Sequence, residues 1–269
     1  SRRQRQMCIR DRSHEIIHDL KAIKEEKVCE QVNKLIRLAH LEGIDEVLLW
    51  DHSLYSLDYY PSCFRTGPNG TINLDNPKFW EWFKDDYRRM LNRAPEADGL
   101  VLTFIETGAY AEKQYSVNMK KTEEKLAAVV NAISDVVIGE RGKKLYIRTF
   151  AYSEEEYKST VGCIKHIKSD KVILMMKETP HDFFLIHPDN SYIRKMNRST
   201  IVEFDSGNEY SGQGVVANTW PEYTMKRWGS YINCPNVTGY VARTDRYGDT
   251  SIVGTCLLYT SDAADDLIG

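Results

Sequence analysis

Three apolar runs in this chain lead into acidic residues, and this pattern constrains the fold more than any other feature. The runs and their acids are residues 100–105 with Glu106, residues 172–176 with Asp182, and residues 201–205 with Glu209. Buried parallel strands read as continuous apolar runs, and in an α/β barrel the functional groups lie where such strands end. The sequence therefore predicts parallel strands with carboxylates at their carboxyl ends.

Six segments with strand character alternate with helical segments along the chain. The strands are expected at 45–50, 99–105, 145–151, 171–176, 200–204 and 237–242, and the helices at 13–41, from Asn76, at 118–137, at 153–167 and at 221–231. This order predicts a parallel sheet covered on both faces. An open doubly wound sheet and a closed barrel share the pattern, but no GxGxxG or Walker loop follows a strand.

Charged residues follow nearly every expected strand, which favours the barrel. They are Asp51, Glu106, Arg148, Asp182, Glu209 and Arg243. Six strands do not close the usual eight-stranded barrel. We therefore expect an α/β fold of the (β/α)8 TIM type that is incomplete, with strands two to seven present.

The two ends of the chain differ in character from its middle. Residues 1–12 and 256–269 resemble translated sequencing-adapter peptides found at the ends of short metagenomic gene fragments, and such segments are left out of fold reasoning. We expect both to be artefactual or disordered tails. Residues 13–255 would then form a partial TIM-barrel catalytic domain, and such a fragment could lack activity.

Charge and composition exclude several classes of protein. With 36 basic and 39 acidic residues the chain has no excess of positive charge for nucleic acid. No apolar run approaches membrane-spanning length. The six cysteines form no CxxC pair, and no cofactor or metal is expected from their spacing. No signal peptide is visible, so a bacterial cytoplasm or periplasm is the expected location, and the oligomeric state is left open.

Carboxylates gathered at strand ends suggest acid/base chemistry on a sugar. Hydrolysis of a glycosidic bond needs one protonated carboxyl group on the leaving oxygen and a second carboxylate that attacks the sugar or activates water. Glu106 follows apolar residues that are able to raise its pKa, as an acid requires. Any single acid of this kind is more often a helix cap or a solvated loop residue, whereas three at equivalent strand ends favour a site.

Basic and aromatic residues near the same strand ends are candidates for binding substrate. Arg148 and Lys177 suit a carboxylate, either a protein acid or a substrate uronate, although an internal ion pair explains Arg148 equally well. Trp50, Trp220 and Tyr210 offer faces on which a sugar ring can stack, although most Trp residues belong to the core.

Several segments, taken in order, resemble glycoside hydrolase family 67, the α-glucuronidases. These segments read NPKFWEWFKDDYRRMLNRAPEADGLVLTFIETG from Asn76, LYIRTFAY from Leu145, VILMMKETPHDFF from Val172, VEFDSGNEYSGQG from Val202 and VTGYVARTDRYGDTS from Val237. The resemblance as a whole covers roughly residues 30–255. The most specific of them contains Glu209, Tyr210 and Gln213.

The resemblance implies a TIM barrel that hydrolyses oligosaccharides with inversion. By position, Glu106 resembles the general acid of that family, and Asp182 with Glu209 resemble the acids that activate water. Arg148 and Lys177 resemble substrate-binding residues; Trp50, Tyr210, Trp220 and Arg243 are further substrate-binding candidates. Leu102 stands where the family has Lys, so the resemblance implies glycoside hydrolysis more firmly than recognition of glucuronic acid. The expected substrate is a uronic-acid-containing or related plant or algal oligosaccharide.

Two other functions remain open from the sequence. The segment His14-Glu15-Ile16-Ile17-His18 has the HExxH pattern of zinc metallopeptidases, in which two imidazoles one helical turn apart bind Zn²⁺ and the Glu acts as base. Here the two isoleucines also fit the buried stripe of an ordinary helix, with the polar residues facing solvent. The third possibility is a carbohydrate-binding barrel without catalysis, which would bind sugar without turnover.

Overall fold

The computed structural model describes residues 6–9, 24–105, 107–205, 210 and 221–243. These ranges contain seven strands and five α-helices, with one helix between successive strands except between β5 and β6. In chain order they are β1 (Gln6–Ile9), α1 (Lys24–Leu41), β2 (Glu46–Asp51), α2 (Pro77–Arg93), β3 (Gly99–Leu102), α3 (Thr122–Ser134), β4 (Lys144–Arg148), α4 (Glu154–Cys163), β5 (Ile173–Lys177), β6 (Thr200–Asp205), α5 (Pro221–Tyr231) and β7 (Val237–Arg243).

The chain divides into two compact units, which are described separately below. The first comprises residues 1–151 and 155–173, and the second comprises residues 152–154 and 174–269. In the first, β1 to β4 pair in parallel in chain order, with Leu49 opposite Leu100 and Leu100 opposite Leu145. In the second, β5 to β7 do the same, with Val202 opposite both Met176 and Tyr240.

Sequential parallel pairing distinguishes the two folds that the sequence left open. A doubly wound sheet reverses its strand order at a switch point, whereas a (β/α)8 barrel adds each strand beside the preceding one. Neither unit shows a reversal among the strands described. The fold-class prediction is confirmed: the fold is α/β, consistent with an incomplete TIM barrel.

Strand β1 lies inside the segment that the sequence led us to interpret as a tail. Residues Gln6–Ile9 pair in parallel with β2, Cys8 lying opposite Leu48. Four residues flanked by arginines are too short a run to stand out as a strand in a sequence. The domain boundaries at 12 and 255 stay predictions.

Burial explains why these segments form their elements. All four residues of β3 are buried, as the continuous apolar run predicts. Helix α2 begins at Pro77, where the Asn76 side chain accepts a hydrogen bond from the Lys78 amide at 3.0 Å. Its apolar face is buried as predicted, through Phe79, Phe83, Tyr87, Met90 and Leu91.

Some boundaries differ from those expected. Strands β3 and β4 end at Leu102 and Arg148, each three residues before the predicted end. Helix α3 is shorter than expected and continues as a π-helical turn over Asp135–Glu140. Helix α1 ends where predicted, because Gly43 adopts a φ of 82°, which favours glycine.

The long segment between β2 and α2 is ordered. It contains three short 3-10 turns, and its Tyr60 and Phe64 rings pack edge-on against Phe79, with ring centroids 6.0 Å apart in both pairs. Aromatic pairs of this kind stabilise a loop beyond the area they bury. The segment is therefore held on the amino-terminal half of α2.

Candidate active site

The last residue of β5 forms the centre of a polar cluster in the second unit. Lys177 is buried, and its ammonium group bonds to Oδ1 of Asp182. The other carboxylate oxygen of Asp182, Oδ2, accepts a hydrogen bond from the hydroxyl of Tyr210. The amide of Phe183 donates to Oδ1 at 3.0 Å. Three residues that the sequence predicted as site residues, Lys177, Asp182 and Tyr210, are thus in direct contact.

The surroundings of Asp182 keep its carboxylate charged. Burial alone would raise its pKa, but the Lys177 ammonium, the Tyr210 hydroxyl and the Phe183 amide all favour the ionised form, and together they hold the pKa below its usual value. A carboxylate that is ionised at neutral pH accepts protons. Asp182 is therefore present in its base form at neutral pH and is unsuited to act as an acid.

Two cations lie near the ring of Phe183, beside this carboxylate. The Lys177 nitrogen is 4.1 Å from the ring centroid, and the guanidinium carbon of Arg243, the last residue of β7, is 5.8 Å from it. Cations within about 6 Å of an aromatic face are attracted by its quadrupole. The structure thus brings Arg243, which the sequence also predicted as a substrate-binding residue, to the ring of Phe183, the residue after Asp182.

Glu178 follows Lys177 directly but contacts a different element, helix α5. Its Oε2 lies 3.5 Å from the Arg227 guanidinium, and its Oε1 lies 3.5 Å from the Tyr223 hydroxyl. Glu178 is only 3% exposed. Burial raises its pKa to about 7, against the attraction of Arg227 and with added repulsion from Asp189. The carboxyl group is therefore half protonated near neutral pH.

The loop that carries Asp182 is anchored to α5 on the same side. Arg227 donates to Asp189 Oδ1 at 3.0 Å and also to the carbonyl of His187. The Tyr231 hydroxyl donates to the Glu178 carbonyl at 2.6 Å and accepts from the Asn190 amide at 2.6 Å. Both ends of the segment 178–190 are thus bonded to one helix, which limits the movement of Asp182.

In the first unit, Arg148 ends β4 between two aromatic rings. Its guanidinium carbon lies 5.0 Å from the centroid of Trp50 and 5.0 Å from that of Phe150, and the side chain is buried. The sequence predicted both Arg148 and Trp50 as substrate-binding residues, and they are in contact. Trp50 therefore offers one face to a cation of the protein itself.

Asp51, another acid at a strand end, serves the structure of its own loop. Its carboxylate accepts hydrogen bonds from the Tyr87 hydroxyl at 2.6 Å, the Ser53 amide at 2.9 Å and the Tyr55 hydroxyl at 3.3 Å. Burial, followed by the charge of Asp51, raises the pKa of Tyr87 well above its usual value, so the phenol stays a donor. Asp51 thus fastens the loop after β2 to α2.

The loop after β3 fits closely against the same loop. A Cβ atom on Gly108 would lie 2.3 Å from the Ser56 nitrogen, so only glycine fits here without a shift of backbone. Thr103 and Thr149 follow β3 and β4 and are almost fully buried. Their hydroxyls have no hydrogen-bond partner among the residues that the structure describes.

Three predicted site residues, Glu106, Glu209 and Trp220, lie outside the described residues. The HExxH segment at 14–18 lies outside them as well. No group of three or more His, Cys, Asp or Glu side chains suited to a metal ion occurs in the part of the chain that is described. Among the described helices, none is long and apolar enough to cross a membrane.

Sequence reasoning missed Glu178 and its partner Arg227. The sequence held a partial indication of Glu178, an acid that follows the apolar run 172–176 and lies between Lys177 and Asp182, both of which were predicted as site residues. Arg227 carried no signal because it lies on a helix with no motif. Phe184, whose ring stacks on Tyr210 with centroids 4.2 Å apart, was also missed.

Comparison with known proteins gives distant structural similarity only. No protein-family model matches the chain, and no curated protein sequence matches it. An endo-β-N-acetylglucosaminidase from Cordyceps militaris is 11% identical with a TM-score of 0.47, covering 94% of this chain and 89% of its own. CpGH89 from Clostridium perfringens, in complex with GlcNAc-α-1,4-galactose, is 9% identical with a TM-score of 0.43, covering 79% of this chain and 24% of its own.

A third similar structure is a GH138 enzyme targeting pectin rhamnogalacturonan II. It is 11% identical with a TM-score of 0.43, and the match covers 88% of this chain and 34% of that protein. All three similarities are distant, with identities of 9–11% and TM-scores of 0.43–0.47.

Proposed function

We propose that this chain is the catalytic barrel, or part of one, of a glycoside hydrolase that acts on uronic-acid-containing or related oligosaccharides. The observation that carries the proposal is the contact between Lys177, Asp182 and Tyr210 at the end of β5. It joins a buried cation, an ionised carboxylate and an exposed aromatic ring, which are the groups needed to bind a sugar and to activate water beside it.

The roles of the acids follow from their surroundings and from the resemblance described above. Asp182, whose pKa is held low, belongs on the side that activates water, together with Glu209. Glu106 would donate the proton to the leaving oxygen. With a base that activates water, the reaction inverts the configuration of the anomeric carbon.

The charge of Lys177 keeps Asp182 ionised in the resting protein, because its ammonium group is buried and paired with that carboxylate. Arg148 would bind substrate in the first unit, with Trp50 and Phe150 holding its guanidinium group in place. A guanidinium group suits a substrate that carries a uronate.

Hydrolysis of glucuronoxylo-oligosaccharides by the chain, followed by NMR of the first-formed anomer, tests the proposal. Asp182→Asn should lower kcat roughly 10²- to 10⁴-fold, the usual contribution of a general base. The matched control is Asp170→Asn, an exposed aspartate before β5, which should leave kcat unchanged. Equal activity of the two variants contradicts the role of Asp182.

Two further outcomes separate the alternatives. Saccharide binding without turnover on any uronoside supports a carbohydrate-binding barrel in place of an enzyme. Stoichiometric zinc that is lost when His14 and His18 are both changed to Ala supports the metallopeptidase. Retention of configuration in the product excludes the inverting mechanism but leaves glycoside hydrolysis standing.

A further inference from the structure

The segment after Asp182 exposes an unusual amount of apolar side chain. Phe184 is 42% exposed, Leu185 is 36% exposed and Ile186 is 92% exposed. Single exposed aliphatic residues such as Leu185 and Ile186 are normal on a folded protein, whereas an aromatic ring exposed beside a polar cluster is a candidate for binding a ligand. The feature therefore needs a reason other than packing of the core.

Within this surface, Phe184 and Tyr210 form an ordered pair of rings. Their centroids are 4.2 Å apart with an interplanar angle of 30°, and Tyr210 is itself 37% exposed. Each ring of a stacked pair covers one face of the other, so a ligand can stack only on an outer face of the pair. Ile186 is not part of the ring pair.

The ring pair is bonded to Asp182 through both its carboxylate and its backbone carbonyl. The Tyr210 hydroxyl donates to Asp182 Oδ2, and the Phe184 amide donates to the Asp182 carbonyl at 2.8 Å. The Thr179 hydroxyl also donates to that carbonyl, at 3.0 Å. The His187 ring meets the Phe184 ring edge-on, with centroids 5.7 Å apart. A ligand stacked on the rings would thus meet a surface that is already organised.

We propose that the stacked rings of Phe184 and Tyr210 form a subsite that binds a pyranose ring of the substrate beside Asp182. The identity of the oligosaccharide rests on the proposed function, whereas the existence of the subsite does not. A pyranose has one face of C–H groups and a rim of hydroxyl groups. The rings match the face, and the Asp182 carboxylate at their edge accepts hydrogen bonds from the rim.

The same features argue against other occupants. A protein partner or a lipid surface buries an extended apolar area, whereas this ring pair exposes only 42% of Phe184 and 37% of Tyr210 and borders directly on an ionised carboxylate that is paired with a buried ammonium group. A saccharide satisfies both the rings and the charged edge.

Binding and hydrolysis are measured separately to test the subsite. Saturation-transfer NMR with glucuronoxylo-oligosaccharides measures affinity for the full chain, and steady-state kinetics on the same sugars measures KM and kcat. Phe184→Ala should weaken affinity and raise KM roughly 3- to 10-fold, as expected for a lost aromatic contact, with kcat changed far less. Phe184→Tyr should restore binding.

Ile186→Ala is the matched control, because Ile186 is more exposed than Phe184 and lies two residues away. It should leave affinity unchanged. Thermal unfolding of each variant shows whether it is folded. If Phe184→Ala is not folded, Phe184→Tyr still tests the subsite.

Each outcome decides one question. Equal affinity of Phe184→Ala and Ile186→Ala overturns the subsite even if hydrolysis is observed, and then the proposed function stands alone. Saccharide binding that depends on Phe184 in a chain that hydrolyses no uronoside supports the subsite and favours the carbohydrate-binding barrel over the enzyme. Binding of phosphatidylcholine vesicles that depends on Phe184, without saccharide binding, overturns the subsite in favour of a lipid surface.

Discussion

Changing Glu178 to Gln should make the protein more stable at pH 8 and leave its stability at pH 4.5 unchanged. Gln has nearly the same shape as the protonated carboxyl group and can still accept a hydrogen bond from Tyr223. It removes the buried negative charge that faces Arg227 and Tyr223 on α5, Asp189 in the following loop and Asp205 at the end of β6. The variant therefore isolates the cost of ionising this group.

The size of the effect follows from the pKa of Glu178. It is about 7 in the folded protein and 4.5 ordinarily, and each unit is worth about 1.4 kcal/mol. Below pH 4.5 the group is protonated in both states, so pH has no effect through it. Between 4.5 and 7 the unfolded chain releases the proton while the folded protein keeps it, so stability falls by about 3 kcal/mol and then levels off.

Thermal unfolding from pH 4.5 to 8 measures this difference. A change of about 3 kcal/mol corresponds to roughly 5–10 °C in Tm for a chain of this size, so Glu178→Gln should melt that much above the wild type at pH 8 and level with it at pH 4.5. Histidines that titrate in both proteins cancel in the difference. Glu222→Gln, an exposed acid on the same helix, should follow the wild type throughout.

Two results would refute this reasoning. If the difference in Tm is constant over the whole pH range, Glu178 does not change its protonation near neutral pH. If the wild type is the more stable protein at pH 8, the ion pair between Glu178 and Arg227 outweighs the burial of charge, and the pKa must lie low.

Two further predictions concern the site and the loops around it. Tyr210→Phe removes the hydroxyl that lowers the pKa of Asp182 but keeps the ring. The acid limb of the pH–rate profile should therefore move to higher pH while saccharide affinity stays the same. An acid limb that does not move excludes this contact from catalysis. Gly108→Ala should lower the free energy of unfolding by about 1–3 kcal/mol in urea denaturation because its Cβ meets the Ser56 backbone, whereas Gly139→Ala, which has no atom closer than 3.9 Å, should not; equal effects would contradict the close fit.

Much of the fold could be predicted because it depends on local periodicity. The buried face of α2 and the strands β2, β3 and β6 follow directly from the spacing of apolar residues. The end of β4 was placed three residues late because Thr149, Phe150 and Ala151 are buried like a strand although the strand ends at Arg148. Burial and strand pairing leave the same pattern in a sequence.

The site was predicted in part, for a related reason. Lys177 and Asp182 belong to one short segment, so a strand followed by a loop is enough to bring them together. Glu178 and Arg227 are far apart in the sequence, with all of β6 and the first half of α5 between them. No rule of sequence spacing predicts their contact. Asp51 shows a limit of the strand-end pattern: it was counted among the charged residues that favour a barrel, yet its carboxylate bonds to its own loop and to α2.

Lys177, the last residue of β5, and Glu178, the residue after it, should differ in the substitutions that they tolerate. Lys177 bonds toward Asp182, whereas Glu178 lies against α5. A library of substitutions scored for folding at pH 8 should therefore accept many neutral residues at 178, and one scored for hydrolysis should reject nearly all of them at 177. Substitutions at Glu178 would then measure effects on stability, and substitutions at Lys177 would measure effects on hydrolysis. The two adjacent positions can therefore serve as internal controls in any survey of variants of the chain.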